Sequence, residues 1–333
     1  MSPVYKFSSS SIKGRTNYGS MLAGNPAYVA PTAVIMGGAT GLASTTAVNT
    51  IDYFNITTTG NATDFGDLIT SMWRSAGCSS TTRGVAGGGT TTGGSYLNTL
   101  EYVTIGTTGN ATDFGDLSVA RRGAGSASSS TRGLWMGGYT GADSNVIDYI
   151  TIATTGNATD FGDCTQAVFD FNSAASSPTR ALMSGGAYNG GGNYYGSIQY
   201  VTIATLGNSS VFGSLTGVKA SVAAMASDTR FISYGGFGTN GVATNEMEYV
   251  TIATTGNTSD FGDLTVARST ANGTSSNVRG VACGGQNPSD WSSYNVIDYV
   301  TIATTGNATD FGDLTQSRGG CQVAVSNSHG GVQ

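Results

Sequence analysis

The chain has 333 residues, 51 of them glycine, and only 10% are charged, a composition that points toward disorder but for the strict periodicity of the sequence, which excludes it. Its net charge of −6 excludes a general affinity for nucleic acid, whose polyanion attracts basic surfaces. No apolar run reaches the roughly 18 residues that a membrane-spanning helix needs, so no membrane insertion is expected.

Residues 1–30 come first. They carry Lys6, Phe7, Lys13 and Arg15, and no Asp or Glu occurs before Asp52. With no apolar stretch, this segment does not read as a signal peptide. It reads as a basic, Ser-rich arm outside the repeats, a tether, with a disordered tail or an extra edge contact as the alternatives.

From residue 31 the chain repeats itself. The segment Ile297–Thr315, IDYVTIATTGNATDFGDLT, has copies beginning at Ile51, Leu100, Ile147, Ile198 and Met247, in steps of 49, 47, 51, 49 and 50. Each unit holds four strand signals. In the third unit they are the small, polar Arg122–Ser130, the apolar Arg132–Gly138, then Val146–Ala153, then Asp160–Thr165. TTGN forms a tight turn between the last two, because Gly and Asn tolerate positive φ. Helical periodicity is absent throughout. Four strands in a period near 50 mean propeller blades, whose faces are buried only against neighbours in a closed ring. The predicted fold is all-β: a six-bladed propeller over residues 31–333 with four antiparallel strands per blade.

Ring closure has two candidate strands. The first apolar second strand is Ala33–Gly38, and no innermost strand of the same repeat precedes it. The C-terminal RGGCQVAVSN at Arg318–Asn327 matches an innermost strand and is expected to pair with it, which removes an exposed edge. Asn17–Gly24 is the rival. His329 then stands where another second strand would open. The four cysteines, Cys78, Cys164, Cys283 and Cys321, occupy different repeat positions without a CxxC pair and read as buried free thiols.

The glycine pairs Gly37-Gly38, Gly88-Gly89, Gly137-Gly138, Gly185-Gly186, Gly235-Gly236 and Gly284-Gly285 each follow an apolar strand. About a dozen residues on stand Tyr53, Tyr102, Tyr149, Tyr200, Tyr249 and Tyr299, and then an aromatic opens the fourth strand. This pattern resembles the kelch repeat, with Phe65, Phe114, Phe161, Phe212, Phe261 and Phe311 where kelch repeats usually have Trp. The TTGNATDFGDL wording is also similar to kelch-like virion proteins of bacteriophages. That resemblance implies a tail, fibre or capsid-associated module that is assembled in the host cytoplasm.

Length variation is concentrated in one loop set. From the glycine pair to the third strand the spacing is 13, 11, 9, 12, 11 and 12, whereas the third strand to the residue after FG[DS] is 17 in all six repeats. Strand alternation puts these loops on one rim and the uniform TTGN turns on the other. The loops hold Tyr96, Tyr139, Tyr188, Tyr194, Tyr195, Phe237, Trp291 and Tyr294, the candidate ligand-binding residues. Aromatics among Asn, Ser and Gly suit a neutral, wet, stacking surface for a glycan or a protein, or else cover loop backbone.

Chemistry is sparse. His329 is the one histidine, so neither a His-based triad nor a multi-His metal site is available. The innermost strands are Ala, Ser and Gly. The DFGD motifs pair two Asp at i, i+3, a weak match to Ca²⁺ ligands and a better one to turn caps. Val211 and Ser214 break that series in the fourth repeat. N-x-[ST] occurs at Asn61, Asn110, Asn157, Asn208, Asn257 and Asn307 and reads as a turn that spells a sequon. Arg83, Arg132, Arg180, Arg230 and Arg279 open second strands and are expected to tie neighbouring blades through carbonyls or Asp. No cofactor or metal is expected.

The expected function is non-enzymatic: a virion structural or attachment module. Residues 1–30 would bind other virion proteins, and the rim would meet a host-surface glycan or protein. A free carbohydrate-binding, lectin-like propeller is the alternative.

Overall fold

The computed structural model describes residues 30–40, 46–169, 173–190, 192–320 and 322–331. The arm residues Lys6, Phe7, Lys13 and Arg15 lie outside the described residues, as do the rival closing segment Asn17–Gly24 and Cys321.

Six four-stranded antiparallel sheets form a six-bladed propeller. Blade 2 is Ala76–Ser79, Arg83–Gly87, Thr99–Thr104 and Thr112–Asp116, ordered from the channel outward. Blade 3 is Gly125–Ser128, Arg132–Tyr139, Asp143–Thr151 and Thr159–Val168; blade 4 is Ser173–Ser176, Arg180–Ser184, Ser197–Thr202 and Ser210–Ser214. Blade 5 is Ala223–Ala226, Arg230–Tyr234, Glu246–Thr251 and Ser259–Asp263; blade 6 is Asn272–Ser275, Arg279–Cys283, Val296–Thr301 and Thr309–Asp313. Blade 1 has Thr32–Met36, Thr50–Asn55 and Thr63–Asp67, and takes its innermost strand, Val323–Ser326, from the far end of the chain. That strand runs antiparallel to Thr32–Met36, with Ala33 opposite Ser326 and Met36 opposite Val323. The C-terminal segment therefore closes the ring.

The core lies between blades. Leu134, Met136, Ile147 and Phe161 of blade 3 pack against Ala181, Met183, Val201 and Ile203 of blade 4, and similar clusters fill the other gaps. This is why the second strands are apolar on both faces: each face meets a sheet. The Phe of every FG motif is buried there and meets the repeat tyrosine edge-on, as Tyr149 meets Phe161 at 6.1 Å.

Most residues that recur in every repeat are used in holding blades together. Arg83 reaches the carbonyl of Ile152 in the next blade at 2.8 Å, and Arg132, Arg180, Arg230 and Arg279 do the same to Ile203, Ile252, Ile302 and Ile56. Of the two expected partners, carbonyl or Asp, the carbonyl is the one used. Each of these guanidiniums also lies 4.2–4.6 Å over its own blade's tyrosine ring.

The sequon asparagines do the capping that the motif Asp residues were expected to do. Asn61, Asn110, Asn157, Asn208, Asn257 and Asn307 accept the backbone N–H of Asp313, Asp67, Asp116, Asp163, Ser214 and Asp263 in the preceding blade, at 2.9–3.1 Å. The turn must come very close to make this bond. A Cβ on Gly162, whose φ is +144°, would lie 2.6 Å from the Gly207 carbonyl oxygen, so the FG glycine is required both for conformation and for space.

A further tie was not foreseen in the sequence. In four of the six copies the fourth residue after the Leu that follows FG[DS] pairs with the acid at the second position of the next blade's IDYVT segment. Arg121–Asp148, Arg268–Asp298 and Arg318–Asp52 are fully buried ion pairs at 2.8, 3.0 and 2.7 Å. Lys219 takes the place of Arg against Glu248. Met72 and Val168 hold the position of the base in the other two copies, and there Glu101 and Gln199 accept the backbone N–H of Ile69 and Thr165. The base is lost in two copies, to Met72 and Val168, and only the second also replaces the acid by a neutral amide, so the six copies carry a partial signal of the pairing.

Candidate functional site

With the repeat consensus engaged between blades, the channel and the loop rim hold the residues in which the blades differ most. The channel is narrow, with a cavity of about 40 Å³ lined by the innermost strands, room for a water or two. A belt of hydroxyls encircles it. Ser79 donates to the Ser326 carbonyl, Ser128 to Ser79, Ser176 to Ser128, Ser275 to Ala226 and Ser326 to Ser275, all at 2.5–2.9 Å. Ala226 has no hydroxyl and leaves one gap.

His329 does not open another second strand. After Ser326 the chain turns into the channel, and the imidazole sits between blades 2 and 3. A second strand there would need a free place in a sheet, and blade 1 already has four strands. Gly330 donates to the Ala226 carbonyl at 3.1 Å, so the tail spans the mouth at the gap in the belt. Any side chain on Gly331 would collide with the Ser128 carbonyl. Burial pushes the His329 pKa down to about 4, with a smaller upward influence from the Ser79 carbonyl. The Gly331 N–H donates to Nδ1 at 3.0 Å, so the neutral ring carries its proton on Nε2. Nε2 lies 3.2 Å from Ser128 Oγ and 3.3 Å from the Ser79 carbonyl. The imidazole thus donates toward Ser128 rather than accepting its proton, the reverse of a general base.

The thiols of Cys78, Cys164 and Cys283 are buried and free. Burial raises all three, Cys164 and Cys283 to about 12, and suppresses the thiolate.

On the rim, the eight predicted aromatics fall into sets. Tyr96 of blade 2 meets Tyr139 of blade 3 edge-on at 5.7 Å, and Tyr139 meets Phe169 at 4.5 Å. Arg122 lies 5.2–5.5 Å over all three rings. Tyr188 stacks on Tyr195 at 4.3 Å, and Tyr194 meets Phe237 of blade 5 at 5.6 Å. Tyr195 also packs on the blade 3–4 core and donates to the Ala167 carbonyl at 3.1 Å. These rings and Tyr294 are half-buried. Phe169 and Arg122 sit in connectors, outside the loop set that length variation picked out, and so escaped the sequence reading.

Trp291 differs from the others. It is 43% exposed and has φ of +58°, an uncommon conformation for so bulky a residue. Its loop is held by its own polar groups. Trp291 N–H donates to the Asn287 carbonyl at 2.7 Å, Ser289 N–H to Asn287 Oδ1 at 3.0 Å, and Ser292 N–H to Asp290 Oδ1 at 3.0 Å. The bonds from the Ser292 backbone and hydroxyl hold the Asp290 carboxyl below its ordinary pKa. The scaffold therefore imposes local strain and leaves an indole facing water.

No family model matches the chain, and no curated protein is similar to it.

Proposed function

We propose that this chain is a kelch-type propeller that serves as a non-enzymatic virion module of a bacterial virus, attached through residues 1–30 and turning its loop rim toward a host-surface glycan or protein. The observation that carries the binding-module reading is the division of labour within the repeats. The recurring Arg, Tyr, Asn and Phe are occupied between blades, while length, content and strained exposure vary on the rim, above all at Trp291. The virion part rests on the resemblance of the TTGNATDFGDL wording and on the basic arm that no blade requires.

Co-purification with assembled particles tests this reading. Removing residues 1–30 should leave a folded propeller that no longer co-purifies, and Trp291→Ala should leave co-purification intact and weaken only the outward contact. An arm deletion that still co-purifies would overturn the tether. A chain that binds glycan in solution but is never found on particles would favour the free lectin.

A further inference from the structure

The surface charge of the propeller is one-sided. Every Lys and Arg among the described residues is buried or half-buried, in an ion pair, a carbonyl bond or an aromatic contact. The exposed charges are acidic. Asp64, Asp113, Asp160, Asp260 and Asp310 stand at the second position of five outer strands, around the circumference.

Blade 4 breaks this belt. The sequence has no Asp or Glu between Asp170 and Asp228, and the outer strand reads SVFGS where four of the others read TDFGD and one SDFGD. Two apolar residues accompany the lost charge. Leu206 occupies the turn position held elsewhere by Thr59, Thr108, Thr155, Thr255 and Thr305, and Val211 occupies the Asp position. They are 54% and 66% exposed. The frame around them is unchanged. Gly207 N–H still donates to the Phe161 carbonyl at 2.9 Å, and Asn208 still caps Asp163. Five blades build the same turn and strand with Thr and Asp, so the ring itself has no need of Leu206 or Val211.

We propose that the outer wall of blade 4 is a self-association surface on which a second copy of this chain docks through its own blade 4. Charge selects this occupant. Two copies with a net charge of −6 repel through the carboxylates of the other five outer walls, and among the six walls that of blade 4 alone brings them together without facing acid against acid. A two-fold contact sets the same patch against itself, so Leu206 and Val211 leave water on both copies. The patch is small, and the contact is correspondingly weak.

Sedimentation velocity of the full chain tests this. The wild type should shift from monomer toward dimer between about 10 µM and about 1 mM, and more strongly in high salt, which screens the remaining acidic repulsion. Leu206→Thr with Val211→Asp restores the residues of the other blades. It should leave the melting temperature unchanged and keep the protein monomeric over the whole range. Three outcomes overturn the proposal: a wild type that stays monomeric throughout, a double variant that dimerises like the wild type, or a monomeric wild type that binds a different protein through this wall.

Discussion

The guanidinium of Arg318 lies 2.7 Å from the carboxylate of Asp52, both side chains are closed to solvent, and the contact joins the last connector to the first blade. Burial lowers the Arg318 pKa, and Asp52 opposes that shift. Thr315 adds two hydrogen bonds to the same carboxylate, at 3.1 and 2.7 Å. The pair and the strand Val323–Ser326 are two separate bonds across one seam.

Asp52→Ala should strand a buried guanidinium and cost about 3–5 kcal/mol. The double variant Asp52→Gln, Arg318→Val copies the Gln199–Val168 combination that blade 4 uses, and should recover at least half of the loss. Urea unfolding of Asp52→Gln, Arg318→Val and the double variant measures the coupling. Additive losses would show that the pair is not a unit.

Removing Gln322–Gln333 should expose the edge of Thr32–Met36, all but one of whose residues are buried, and end cooperative melting. Calorimetry and light scattering report the two effects. A truncated chain that melts like the intact one would mean that another segment supplies the strand.

Stability should fall on mild acidification through His329. Its folded-state pKa of about 4 lies below the ordinary 6.5, so between those values the unfolded chain binds a proton that the folded chain does not. The stabilisation is complete above pH 6.5 and is lost as pH drops toward 4. Cys78, which shares the channel wall, stays a neutral thiol over this range. His329→Gln should remove part of the difference between urea midpoints at about pH 7.5 and about pH 5. An equal pH response in both proteins would place the imidazole outside the channel.

Phe161→Ala should cost about 3–5 kcal/mol, since the ring is buried in the blade 3–4 core. Trp291→Gly should change stability by less than about 1 kcal/mol, because relief of the left-handed backbone offsets the little burial that is lost. Thermal melts of the two variants separate scaffold from rim. A large loss at Trp291 would make its indole part of the fold.

The architecture was written in the sequence because a propeller repeats. Six copies of IDYVTIATTGNATDFGDL carry blade number, strand order and the seam, since each blade must bury the same two faces and bond the same two neighbours. The expected roles of Arg83 and its counterparts followed from the same periodicity. What repetition could not carry is what differs between copies or joins distant positions. Arg318 meets Asp52 only when the ring closes. His329 enters the channel because blade 1 is already full. Tyr195, Tyr139 and Phe237 turn inward onto neighbouring rings, whereas the αL backbone at Trp291 leaves its indole in water. Side-chain direction in a loop depends on the neighbouring blade, and that neighbour exists only after the chain has come round on itself.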